Sequence, residues 1–242
     1  MLILGLDCAG SACSAAVTEG DATLATCQEI MRRGQAERIV PMMQEVLETA
    51  GRSAEALDAI GVTVGPGAFT GVRIGIAAAQ GIGRAAGCPV IGVSVTEALA
   101  ALVPVAPAST LVVVLDSRRP DPFIEIFRAS ESGWQGDGPV ALSGGLAALP
   151  DALGLSDTKG PSGADAQADH LIVAGDLAEQ AVATMGAGRV AAVSAYPDPA
   201  RVAVLAARML SEGRPAPAVP LYLRAPDVSA PSRDRARRPA GA

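Results

Sequence analysis

Two aspartates head the short list of groups in this chain that could do chemistry. Asp7 ends the apolar run Met1 to Asp7, and Asp116 ends the run Leu111 to Asp116; a short polar turn and a returning apolar stretch follow each. A carboxylate fixed at a strand end beside a tight turn could serve as the base of a phosphoryl-transfer site, or simply cap its own turn. The second candidate is Gly65-Pro66-Gly67-Ala68-Phe69-Thr70-Gly71, between an apolar stretch and a helical one. Gly-Pro-Gly permits a close backbone approach, the Thr70 hydroxyl can cap the following helix, and the free N–H groups of a helix start attract anions. Asp7, Gly10, Ser11, Gly65, Gly67, Thr70 and Gly71 are therefore the candidate phosphate or anion loops. The glycine spacing is not that of a dinucleotide fingerprint, and a tight turn with a cap explains it equally well.

What is scarce excludes more than what is present suggests. His170 is the one histidine and Lys159 the one lysine among 242 residues, so His-pair metal sites and a Lys-Ser/Thr phosphate loop are absent. Cys8, Cys13, Cys27 and Cys88 form no C-x-x-C pair, against a zinc ribbon or a redox motif. Unpatterned thiols without a legible leader are expected in a reducing cytoplasm. The aromatic share is 2% and the net charge is −6, a poor nucleic-acid platform with neither stacking faces nor counterion-releasing surface. The uncharged run Ala98 to Leu115 is long enough to span a membrane, but Pro104 and Pro107 interrupt it, and a helix end, a turn and a buried strand are expected there.

Elements that could position these groups follow from periodicity. Met1–Asp7 and Ala12–Val17 read as a hairpin with Asp7 at its tip. Leu111–Asp116 and Pro122–Phe127 repeat the pattern about a hundred residues on, which suggests two α/β lobes of related topology. The first lobe is expected over 1–105, with a helix over 36–50, regular from about Pro41 or bent there. A strand Leu57–Val64, a helix 72–86, a strand Cys88–Val93 and a short helix Thr96–Val103 follow it. The second lobe spans 106–223, with irregular connections over Ser130–Asp169 around a short helix near 146–153. A strand Leu171–Ala174, a helix through Met185 and a helix at about 199–210 complete it; the last is a candidate for packing back on the first lobe. Residues 224–242, rich in Arg, Pro, Ala and Ser, read as a disordered basic tail.

Two helices carry surplus apolar surface. Ile39, Val40, Met42, Met43, Val46 and Leu47 cover a wider arc than one packed stripe needs. Gly75, Ala79 and Gly83 leave one side of helix 72–86 nearly bare, as where another helix comes close, either 36–50 of this chain or one from a partner subunit, although each interior glycine costs about 0.5–1 kcal/mol. Ile39, Met42, Met43, Val46, Gly75, Ala79 and Gly83 are the candidate partner-contact residues; burial under the chain's own second lobe is the other reading of the first set.

The run Val64-Gly-Pro-Gly-Ala-Phe-Thr-Gly-Val-Arg-Ile-Gly75 closely resembles the signature of the TsaB (YeaZ) family. Leu4-Gly-Leu-Asp-Cys-Ala-Gly-Ser-Ala-Cys-Ser14 resembles that family's opening hairpin, Gln35-Ala-Glu-Arg-Ile-Val-Pro-Met42 the start of its first helix, and Pro220-Leu-Tyr-Leu-Arg224 its C-terminal signature. The resemblance implies a two-lobed actin/Hsp70/sugar-kinase (ASKHA) fold. It also implies a non-catalytic, cytoplasmic role in threonylcarbamoyl transfer to adenosine 37 of tRNAs reading ANN codons. Catalysis would lie on TsaD, a paralogue that holds a metal with histidines this chain lacks. TsaE, an ATPase, would join the pair; TsaC would supply the threonylcarbamoyl-adenylate; tRNA would be met indirectly. A homodimer through the same helices is the alternative for the isolated chain. ATP or ADP at the seam with the partner is the candidate cofactor, and the chain itself is expected to hold no metal. Gln35 stands where the family commonly has histidine, and the second hairpin turn Ser117–Pro122 has no glycine. Pro120 and Pro122 lack N–H groups, so a complete ATP site is not expected, although Arg118 and Arg119 could meet a phosphate. The competing hypothesis is a free-standing small-molecule kinase of the same fold.

Overall fold

A computed structural model describes residues 1–155 and 170–224; the expected tail beyond Arg224 and the lone lysine lie outside the described residues. Alternating and continuous apolar runs give two mixed sheets. In the first, β1 (Leu2–Asp7) pairs antiparallel with β2 (Ala12–Glu19), which pairs with β3 (Ala22–Ile30). On its other side β1 pairs in parallel with β4 (Ala59–Thr63), and β4 with β5 (Val90–Val93). The spatial order is β3-β2-β1-β4-β5.

The second sheet repeats this plan. β6 (Thr110–Leu115) and β7 (Phe123–Ser130) form its hairpin, β8 (Gly133–Gly136) and the two-residue β9 (Val140–Ala141) extend it from β7, and β10 (Leu171–Ala174) then β11 (Arg189–Val190) continue it in parallel from β6. Read as β8-β7-β6-β10-β11, it has the strand order of the first. The hairpin repeat legible in the sequence is thus the start of a repeated sheet.

Helices cover both faces of the first sheet. On one side α1 (Gln35–Ala50) and α2 (Phe69–Ala86) lie over Leu4, Leu6, Ala15, Val17, Ile60 and Val62. On the other, α6 (Pro199–Ser211) packs on β1, β4 and β2, with Ile3, Ala59, Ile91 and Val93 meeting Val202, Ala203 and Ala206. Its approach depends on two glycines: a Cβ on Gly61 would sit 2.7 Å from the Ala206 Cβ, and one on Gly5 would sit 2.8 Å from the Ala203 nitrogen. Between the lobes runs α3 (Val95–Ala100), whose Leu99 joins the first core to Leu111, Val113 and Phe127 of the second sheet. A smaller core under α4 (Leu149–Ala152) and α5 (Ala178–Met185) closes the far side of that sheet.

Several boundaries differ from expectation for physical reasons. β3 was not expected; its sequence Ala-Thr-Leu-Ala-Thr-Cys-Gln-Glu-Ile is that of a half-exposed edge strand with little apolar alternation. α1 runs unbroken from Gln35 through Pro41. Pro41, in the second turn, leaves one carbonyl, that of Glu37, without its helical N–H partner, a loss confined to the exposed side of the helix. α2 begins at Phe69, not Val72, so Thr70 lies inside the helix, exposed, and no side chain caps the helix start.

Candidate functional site: the interlobe cleft and the outer helical face

The two hairpin turns face one another across a cleft. Asp7 is wholly buried at the end of β1. Its Oδ1 accepts from the Thr63 hydroxyl at 2.6 Å and from the Ala9 N–H at 3.0 Å, while Oδ2 meets no donor among the described residues. Burial outweighs those two hydrogen bonds and pushes the carboxyl up to about 6. The Gly-Pro-Gly loop is spent on packing. The Ala9 carbonyl accepts from the Ala68 N–H at 2.7 Å, Gly67 and Gly71 lie bare against the Ala9 and Cys8 carbonyls, and the Gly65 carbonyl accepts from Val95, at the start of α3, at 2.8 Å.

The opposing turn fills what remains. Arg118 adopts a left-handed conformation (φ 60°) that lets its N–H reach the Asp116 Oδ1 at 2.7 Å. Its guanidinium lies 3.5 Å from the Asp116 Oδ2 and crosses to the Ser11 hydroxyl of the first lobe at 2.8 Å. The Asp116 N–H donates to Asp176, whose carboxyl burial pushes up, and the Tyr196 ring lies over Gly10. The space left among these groups is about 30 Å³. It is a small, water-sized space, and the carboxylates of Asp116 and Asp176 line it. On another face of the lobe junction an open groove of about 720 Å³ runs past Glu97, Trp134 and Arg208, with Glu125 near its floor. Burial raises the Glu125 carboxyl, although Thr96 and the Gly138 N–H donate to it. Nothing in the sequence pattern marked either the Arg118 crossing or this groove.

The candidate anion residues thus come together in part. Asp7, Gly10, Ser11, Gly65, Gly67 and Gly71 converge where the hairpin turn meets the Gly-Pro-Gly loop, whereas Thr70 points away from them on the exposed face of α2. The candidate contact residues require correction. Ile39, Met42, Met43 and Val46 are no more than 2% exposed and form the chain's own core beneath α1. Gly75, Ala79 and Gly83 turn toward the sheet, not toward another helix: a Cβ on Gly75 would lie 3.4 Å from the Cys8 Cβ, and one on Gly83 would lie 2.5 Å from a Val90 methyl. The small residues let α2 lie close on β1, β4 and β5. The exposed residues of the pair instead include Val40, Pro41, Gln44 and Glu48 on α1 and Phe69, Arg73, Ala77, Gln80, Gly81 and Arg84 on α2.

Among the described residues no three His, Cys, Asp or Glu side chains are placed to hold a metal ion, and no helix is long and apolar enough to cross a membrane.

Two sheets of one strand order flanking a cleft between facing hairpin turns define the actin/Hsp70/sugar-kinase class. The hexokinase of Thermus thermophilus shares the fold at a TM-score of 0.50 and 16% identity, over 88% of this chain and all of that one. YeaZ from Pseudomonas aeruginosa superposes at a TM-score of 0.70 and 26% identity, over 92% of this chain and 99% of its own. In sequence, Escherichia coli TsaB, a "tRNA threonylcarbamoyladenosine biosynthesis protein", is 37% identical over 144 residues, 59% of this chain. The match spans 62% of that protein's length. An uncharacterized Mycobacterium tuberculosis protein is 32% identical over 200 residues, covering 81% of this chain and 78% of its own. Residues 28–122 match the family model described as TsaD, tRNA N6-adenosine threonylcarbamoyltransferase. The TsaB-named relatives and the YeaZ structures together support the TsaB (YeaZ) family for this chain.

Proposed function

We propose that this chain is a non-catalytic, cytoplasmic subunit of tRNA threonylcarbamoyladenosine synthesis, pairing with a TsaD-type transferase that performs the chemistry at adenosine 37. The observation that carries this reading is the filled cleft. Where two-lobed relatives could seat a nucleotide, Arg118 bridges to Ser11 and about 30 Å³ remains. The free-standing kinase reading would need open space there and free N–H groups at both turns; the small remaining space and the two prolines of the second turn weigh against it. The match of residues 28–122 to the transferase family supports a paralogous partner, because this segment contains the whole of α1 and α2. Two like-folded helix pairs can meet about a pseudo-twofold axis, each presenting the same face. The face proposed here is the exposed one: Val40 and Pro41 on α1 with Arg73, Ala77, Gly81 and Arg84 on α2. TsaE and the supply of adenylate by TsaC belong to the same reading, as does self-pairing of the isolated chain.

Ala77→Arg tests the face. Ala77 is exposed, so the change leaves the fold intact but places a long cation across the ridge. Co-elution with the cell's TsaD paralogue on size exclusion should be lost while the melting temperature stays unchanged. A folded variant that still co-elutes would refute the face, and a wild-type chain that fails to co-elute would refute the pairing.

A further inference from the structure

Six aromatic side chains serve the whole chain, and four of them are buried or half-buried: Phe123, Phe127, Trp134 and Tyr196. The other two stand in solvent side by side. Phe69 is 50% exposed at the start of α2, and Tyr222 is 48% exposed in the C-terminal segment 153 positions later. Their rings stack with centroids 5.5 Å apart and planes inclined by 29°. The Arg73 guanidinium lies 3.7 Å above the Phe69 ring and 5.6 Å from that of Tyr222, and its Nε donates to the Tyr222 hydroxyl at 2.7 Å. Stacking and cation–π contact account for the mutual attraction of the three groups. They do not account for leaving two of the chain's scarce rings in water.

The cluster is rigidly mounted. After α6 the chain crosses the edge of β5, where Gly92 donates to the Ala216 carbonyl, and then follows α2. Gln80 donates to the Ala218 carbonyl at 3.1 Å, Leu221 donates to the Val64 carbonyl at 2.8 Å, and beyond Tyr222 the Arg224 guanidinium engages Asp121 and lies over Phe123 in the second lobe. Two stretches that stand out in the sequence, the Gly-Pro-Gly loop with its helix and Pro220–Arg224, are therefore joined in one surface feature. Rings held in place before binding lose little entropy on binding, and Tyr and Arg are the residue types that dominate binding hot spots.

We propose that Phe69, Arg73 and Tyr222 form a pre-assembled protein-docking anchor that seats an apolar side chain and a neighbouring carboxylate of the paralogous transferase. This rests on the pairing proposed above. Phe69, Arg73 and Ala77 follow one another at four-residue spacing on the exposed side of α2, so the anchor continues the small-residue ridge at its N-terminal end. The Arg73 Nη groups make no hydrogen bond among the described residues and are available to a carboxylate. α2 carries no acidic side chain, and its charges are Arg73 and Arg84, which complements an acidic contact on the partner. A nucleic-acid strand fits less well. The net charge of −6 opposes phosphates, and the cluster offers a single cation.

The test uses the full chain and the purified TsaD paralogue in titration calorimetry, with Phe69→Ala, Tyr222→Ala and Tyr222→Phe as variants and Ala77→Arg as the reference for a blocked face. Loss of either ring should weaken pairing by about tenfold or more, as expected for a hot-spot residue. Tyr222→Phe, which keeps the ring and loses only the bond to Arg73, should weaken it by about threefold or less. Near-ultraviolet circular dichroism confirms that each variant is folded. Unchanged affinity of folded Phe69→Ala and Tyr222→Ala, while Ala77→Arg abolishes pairing, overturns the anchor and leaves the helical face standing. A wild-type chain that does not bind overturns the pairing reading itself. Binding of tRNA that is lost in folded Phe69→Ala and Tyr222→Ala, with partner affinity independent of both rings, assigns the cluster to RNA and also overturns the proposal.

Discussion

Replacing Asp7 by asparagine should stabilise the protein at neutral pH and do so much less in acid. The carboxyl is fully buried, holds two donors on one oxygen and none on the other, and is pushed from 3.8 up to about 6 by desolvation. A raised carboxyl favours the protonated form in the folded state. Its contribution to stability is complete below the unfolded value near 4 and is lost as pH climbs through about 6. The shift is roughly two units at 1.36 kcal/mol per unit, so ionisation costs about 3 kcal/mol by pH 7.5. Asparagine cannot ionise and mimics the protonated acid. Urea unfolding at pH 4.5 and 7.5 should therefore show the variant ahead by only about 1 kcal/mol at pH 4.5 and by up to about 3 kcal/mol at pH 7.5, the latter a rise of roughly 6–12 °C in melting temperature for a chain of this size. A buried amide nitrogen with no acceptor would reduce the gain by about 1 kcal/mol or more without changing its rise with pH. A variant that is weaker at pH 7.5 but not at pH 4.5 would refute the reasoning, because Asp7 would then be ionised and paired in the folded protein.

Three further outcomes follow from the packing. Met42→Ala should cost about 2–5 kcal/mol as a core cavity, whereas Val40→Ala, on the exposed side of the same helix, should change stability by less than about 0.5 kcal/mol; chemical denaturation separates the two. Gly61→Val should fail to fold stably or lose more than about 3 kcal/mol, read by thermal scanning, because no space exists between β4 and α6 for the added atoms. Native thiol titration should label the half-buried Cys27 and Cys88 and spare Cys8 and Cys13, which are fully buried with sulfurs 3.8 Å apart; denaturant should release both, and rapid labelling of all four without it would contradict the packing.

The sequence made the lobes legible because each begins with the same apolar strand, acid and turn, and that pattern is local. It also marked the Gly-Pro-Gly stretch as a place of close backbone approach, and the hydrogen bonds of Val64, Gly65 and Ala68 show which segments come close there. It could not separate an inner from an outer apolar face. Met42 and Met43 read alike whether they meet the chain's own sheet or a partner, since periodicity records burial and not what does the burying. The bare side of α2 was ambiguous for the same reason: Gly75 and Gly83 admit a strand as readily as a helix. The Arg118 bridge to Ser11 spans 107 positions and the Tyr222 contact with Arg73 spans 149, and neither leaves a periodic trace.

Mass spectrometry of nucleosides from an unmodified tRNA that reads an ANN codon would decide whether this chain assists or performs the transfer. With threonylcarbamoyl-adenylate supplied, the chain alone should yield no threonylcarbamoyladenosine, and adding the TsaD paralogue, with the ATPase present, should restore it; Ala77→Arg in the same mixture should not. Modified adenosine formed by the chain without its paralogue would contradict the account.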